Sequence, residues 1–295
     1  MRSTSIVLVL LAIIHAPAAA QTVSRPVWKE ASPSAQQQIH QVENATAPLA
    51  TPDSARAAGF TPVLGWIPTM GTHWVNGPRM LQGRTFDVTS PSQLMFSRVN
   101  GQETLVGAAY AYFAPLTDST RPNSFDGNPG WHEHADLAPP GTTLVMLHVW
   151  LVPSPDGPFA GHNPYLPFWA LGLTPPSAER MKVEGVSRRT RRAALALAEV
   201  ADTAGVFPVV ARRPAVRPVL VEHRDSINAL IPKLDAAQKK GDWRAWDRIA
   251  DQLGVQWDAV REAYLKSVVN ASINARMVKF LDGMEMPGHS MEHHR

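Results

Sequence analysis

Two short stretches hold most of the side chains able to do chemistry. Residues 130–152, GWHEHADLAPPGTTLVMLHVWLV, bring His132, His134, Asp136, Met146 and His148 close together in the chain. Side chains alternate faces along an extended segment, so His132, His134 and Asp136 are predicted to point one way and Glu133 the other. Two imidazoles and a carboxylate on one face form a donor set that holds Fe(II) and leaves positions open for substrate. By the same alternation Met146, His148 and Trp150 share a face of the following strand. Upstream, PTMGTHWV (residues 68–75) supplies Met70, His73 and Trp74, so thioether, imidazole and indole group together twice. Thioether with imidazole favours Cu(I), and an indole face can lie against a cation. The competing reading is that Met, Trp and a hydrogen-bonded His on a buried strand are core material.

Further donors lie outside these stretches. His162 sits in the loop DGPFAGHNPYLPFW, where a histidine ordinarily caps its turn through a backbone hydrogen bond and is otherwise a fourth ligand. The tail GMEMPGHSMEHHR (residues 283–295) carries Met284, Met286, His289, Met291, His293 and His294. A flexible Met/His string of this kind can capture copper without a preformed site; the alternative is a polar terminus with no role. A phosphate-binding glycine loop, an H-E-x-x-H helix and a G-x-S-x-G elbow are all missing from the sequence, and no carboxylate pair stands out for glycoside cleavage.

The elements that must position these residues follow from composition and punctuation. Arg2, an apolar run from Ile6 to Ile14 and Ala18-Ala19-Ala20 are predicted to form a secretory signal peptide over residues 1–20, which places the mature chain in the periplasm or outside the cell. The run is too short to span a bilayer, so no membrane insertion is expected. The 295-residue chain has no cysteine, hence no disulfide, thiolate metal site or cysteine nucleophile. Its formal charge of +3 includes Arg2 and gives no reason to expect a nucleic-acid partner. The basic run from Arg180 to Arg192 reads as a solvated helix face.

Residues 21–60 read as a linker with a short helix starting at Ser32-Pro33. Residues 61–176 alternate Pro/Gly punctuation with aromatic and branched runs, the pattern of a β-rich, barrel- or sandwich-like domain. Asn100-Gly101 between two extended runs predicts a hairpin, and Thr142 to Val152, apolar on both faces, predicts a central strand. Residues 177–282 read as helical, with helices over 187–204, 219–240, 242–253 and 255–282 and an inward face on the last that includes Ile273, Met277 and Phe280. The fold class is therefore α+β, a β-rich domain followed by a helical region and a flexible tail from Gly283.

The blocks P-x-M-G-x-H-W and M-L-H-V-W, with the signal peptide, resemble a family of secreted bacterial proteins that has no established activity. The resemblance covers about residues 61–170 and implies export and a β-rich domain that self-assembles, which would make the chain a homo-oligomer. His132-x-His134 followed by Gly141 also resembles the first motif of the cupins, although the Glu of that motif is not in place and its second block is not recognisable. The Met/His composition is similar to that of periplasmic copper chaperones, without a shared motif. Three functions follow in order: an exported transition-metal protein, with copper before iron or zinc; a cupin-like metalloenzyme using His132, His134, His148 and Asp136; and a structural or self-assembling protein whose histidines only satisfy hydrogen bonds.

Overall fold

A computed structural model describes residues 26–286 except 30, 127–129, 202–213 and 215. The fold is α+β, a sheet region followed by helices. Six strands, β1 (Thr61–Ile67), β2 (Gly71–Val75), β3 (Gln93–Val99), β4 (Gln102–Pro115), β5 (His132–His134) and β6 (Thr142–Trp150), form one antiparallel sheet in the order β1-β2-β3-β4-β6-β5. The apolar run at Thr142–Trp150 sits inside the sheet between β4 and β5, as its two-sided apolarity requires. Asn100 (φ 49°) and Gly101 (φ 82°) make the β3–β4 turn, both in the left-handed region that a tight hairpin of this twist demands. Gly101→Ala forces a Cβ into that region and is expected to cost about 1–2 kcal/mol, read as a lower urea midpoint with an unchanged slope.

One face of the sheet is packed twice. Ala55, Phe60, Trp74, Leu94 and Phe96 form one cluster, and a larger one joins Val145, Leu147, Val149, Tyr110, Tyr112 and Phe125 with Trp28, Ile39 and Val42. The last three belong to the stretch expected to be a linker. Trp28 precedes α1 (Pro33–Thr46), which does begin at the Ser32 cap but presents Ile39 and Val42 to the sheet, so the segment is part of the fold. Two short helices, α2 (Pro52–Ala57) and α3 (Gly77–Met80), flank the first strands.

Helices α4 (Leu166–Ala170), α5 (Ala178–Met181), α6 (Val186–Ala201), α7 (Arg217–Lys240), α8 (Trp243–Lys266) and α9 (Ala271–Glu285) follow. Their core is built on Leu195, Leu197, Ile227, Leu234, Trp246, Trp257 and Tyr264, and α4 ties it to the sheet, sending Phe168 into the helical core and Trp169 into the sheet core. The basic run is not a solvated face. Arg180, Arg189 and Arg192 reach Asp247, Asp251 and Asp258 on α8, and Arg191, 1% exposed, pairs with Asp156. Among the described residues no helix is long and apolar enough to cross a membrane.

The helix boundaries differ from expectation where the site depends on them. Gly254 does not end a helix: α8 runs through it, buried against Arg192, whose guanidinium donates to the Gly254 carbonyl (3.1 Å). The break falls instead before Asn270, whose side chain accepts from the Ser272 and Ile273 N–H groups and starts α9 in a new direction. α9 then continues past Gly283 to Glu285.

Candidate metal centre and adjoining cavity

Strands β2 and β6 are separated by β3 and β4, which in a flat sheet would hold them about 14 Å apart, three spacings of about 4.8 Å. Yet the rings of His73 on β2 and His148 on β6 lie 5.3 Å apart between centres, with their Nε2 atoms 3.3 Å apart. The residues between them explain how. β4 contributes only Ala109, opposite His148, and Ala111, opposite Met146, so beside these two residues of β6 that strand carries nothing larger than a methyl group, and the His73 and His148 rings lean together across it. The Met146 sulfur is 3.1 Å from His148 Nε2. His132, in register with Met146, packs edge-on to His148 with 5.0 Å between ring centres, and His134, opposite Leu144, lies 5.0 Å from His132.

Hydrogen bonds fix which nitrogen carries the proton. A carbonyl only accepts, so His148 Nδ1–H donates to Gly161 O (3.1 Å) and His132 Nδ1–H donates to Gly130 O (3.2 Å). Both Nε2 atoms are left as lone pairs. That of His148 faces His73 and the Met146 sulfur; that of His132 is buried and has no hydrogen-bond partner. The His148 lone pair can accept from His73 when that ring carries its proton on Nε2, and when it does not the two nitrogens and the thioether form a buried donor set open to a cation, with the unpartnered His132 nitrogen nearby. Imidazoles anchored through Nδ1 to backbone carbonyls are also the usual second layer of a metal site, fixing tautomer and ring direction.

Burial holds these rings neutral, which is the form that binds metal. His73 is lowered to about 4, first by burial and then by His134. His132 is lowered to about 3 by burial, then His134 and His73, with the Gly130 bond opposing. His148 lies well below its ordinary value, again from burial first and then His132, His73, His134 and His162.

Among the described residues no three His, Asp or Glu side chains are arranged to hold an ion by themselves. The nearest further donor atom beside His73 and His148 is the Met146 sulfur. Glu133 does lie on the opposite face, where it pairs with Arg121. The strand stops at His134: residues Ala135–Leu137 form a single 3-10 helical turn, so strand alternation does not extend past His134.

Other expected ligands are used differently. His162, 5% exposed, is hydrogen-bonded to Thr69 Oγ1 (2.8 Å) and does not cap its own turn; that role falls to Asn163, whose Oδ1 accepts from Tyr165 N–H. The loop's contribution to the site is the Gly161 carbonyl. Met284 is fully buried in the helical core and is not part of a flexible tail, while Met286 is exposed at the end of α9. His289, Met291, His293 and His294 lie outside the described residues.

A cavity of about 650 Å³ opens beside the cluster, lined by His73, His134 and Met146, by Val63 and Ile67 of β1, by Leu144 and Phe113, and by Ile273, Arg276, Met277 and Phe280 of α9. Met70 is part of this wall. Met277, expected on the inward face of the last helix, and Met80, which no sequence signal marked, join it as two further thioethers. The face of α9 expected to turn inward is the one that covers the cavity.

No family model, curated protein or solved structure matches this chain.

Proposed function

We propose that the protein is an exported Cu(I)-binding protein of the cell envelope, with His73, His148 and Met146 as the primary donors and His132 as a fourth. The observation that carries this reading is the buried meeting of His148 Nε2 with His73 Nε2 and the Met146 sulfur, 3.3 and 3.1 Å away, next to a His132 whose Nε2 has no hydrogen-bond partner. Copper is preferred to iron or zinc because the nearest third donor is a soft sulfur. A structural role alone leaves the buried His132 nitrogen unsatisfied, which costs free energy with no return.

The test is competition between the purified chain and a chromogenic Cu(I) chelator. Met146→Leu, which keeps the volume and removes the sulfur, is expected to weaken Cu(I) by about tenfold, on the scale of losing a supporting group at a metal site, and to leave Zn(II) binding unchanged. Equal loss for both metals, or none for either, overturns the assignment of sulfur as a ligand. Truncation after Met286 in the same assay separates the core site from the Met/His tail, and full stoichiometry in the truncated chain assigns the tail no copper.

A second reading, metal-dependent catalysis, is favoured by the cavity, because a carrier has no need of ligand-sized space against its ion. It predicts an open coordination position, visible as binding of a small exogenous donor to the Cu(II)-loaded protein by electron paramagnetic resonance.

A further inference from the structure

The cavity has a polarity along its length that the metal cluster does not explain. Its floor is buried and soft, formed by Met70, His73 and Met146, each no more than 6% exposed. Its walls are aliphatic and aromatic. Its rim is on α9, where Ile273 is 45% exposed and Arg276 is exposed. Arg276 makes no ion pair among the described residues, and no Asp or Glu lines the cavity. At about 650 Å³ the volume falls within the range of small-molecule sites, roughly 300–1,000 Å³.

An apolar space with one cation at its mouth and no acid on its walls is matched by a molecule with a hydrocarbon tail and one negative charge. We infer that this cavity binds a medium-chain fatty acid, tail inward against Val63, Ile67, Leu144 and Phe280, with its carboxylate on the Arg276 guanidinium. The planar fork of an arginine suits a carboxylate in two-point contact. The inference does not rest on the copper reading: a hard carboxylate has little affinity for Cu(I), and the aliphatic walls bury the tail whether or not an ion is present.

The experiment titrates decanoate, decanol and decyltrimethylammonium into the purified, metal-free chain by calorimetry. Decanoate should bind most tightly, decanol more weakly and the cation least. Arg276→Gln, at an exposed position that carries no fold contact, should bring decanoate down about threefold to fivefold, to the level of decanol, and leave decanol unchanged. Met277→Trp, on the same helix, fills the space and should abolish binding of both. Decanoate affinity indifferent to both substitutions, equal binding of the cation, or no binding of either decanoate or decanol overturns the inference. Repeating the titration on copper-loaded protein separates the two sites: decanoate binding that appears only with copper places the carboxylate on the metal and removes Arg276 from the role.

Discussion

His148→Ala is expected to abolish tight Cu(I) binding, weakening it by at least about a hundredfold, the upper end of what loss of a mere supporting group costs a metal site. His148 is the centre of the cluster: its Nε2 lies 3.3 Å from His73 Nε2 and 3.1 Å from the Met146 sulfur, so its loss removes the group that both of those donors meet. The substitution also frees the Gly161 carbonyl and leaves a void, so loss of binding must be separated from loss of fold. Thermal melting does this. Cu(I) in thousandfold excess over Kd stabilises the native protein by about 4 kcal/mol, which in a chain of this size raises Tm by roughly 10 °C. In His148→Ala the melt should remain cooperative and the copper-dependent rise should vanish. His73→Ala, on a different strand with different neighbours, should lose the rise as well. Retention of the rise in both variants would show that copper sits elsewhere, in the tail or at the surface.

The way the site is assembled accounts for which parts of it were legible in the sequence. Alternation along Thr142–Trp150 correctly puts Met146 and His148 on one face because β6 is regular and central, paired over its whole length. The same argument fails two residues beyond His134, since β5 is a three-residue edge strand that turns into a helical turn before Asp136. That His73 meets His148 could not be read locally: it depends on the strand order and on Ala109 and Ala111 of β4, which look like unremarkable small residues until the register sets them under the cluster. The carbonyls that fix the tautomers, Gly130 and Gly161, are backbone groups and leave no side-chain signature.

The helical region shows the same division between local and long-range information. The sequence points to a break at Gly254, because a glycine inside a helix and one that ends a helix are identical in sequence, and the Asn270 cap goes unread. The consequence is functional. A break at Gly254 would give one long terminal helix, whereas the break before Asn270 yields a separate α9 that anchors Leu281 and Met284 in the helical core and lays Ile273, Met277 and Phe280 over the sheet.

The metal-free protein is expected to lose stability steeply between pH 6.5 and about pH 4, and the sign follows from the direction of the histidine shifts. Above pH 6.5 His73 and His132 are neutral both folded and unfolded and contribute no pH dependence. As pH falls below 6.5 the unfolded chain protonates them first, while the folded protein takes up protons only near about 4 at His73 and about 3 at His132. The unfolded state thus binds more protons throughout this window, and each ring withdraws up to about 1.4 kcal/mol per pH unit. His148 acts in the same direction. By pH 4 the sum is on the order of 5 kcal/mol, comparable with the whole stability of an ordinary domain, so the protein should unfold in mild acid in a single cooperative step. Urea midpoints at pH 7, 6, 5 and 4 measure the slope, and the double variant His73→Gln with His132→Gln, which has nothing to titrate at those positions, should keep a larger share of its pH 7 stability at pH 4. Saturating Cu(I) should flatten the wild-type profile, because coordinated nitrogens cannot take protons until the metal leaves. A wild-type profile already flat without metal would mean that the rings protonate in place, and the neutral, inward-facing donor set on which the copper assignment depends would fall with it.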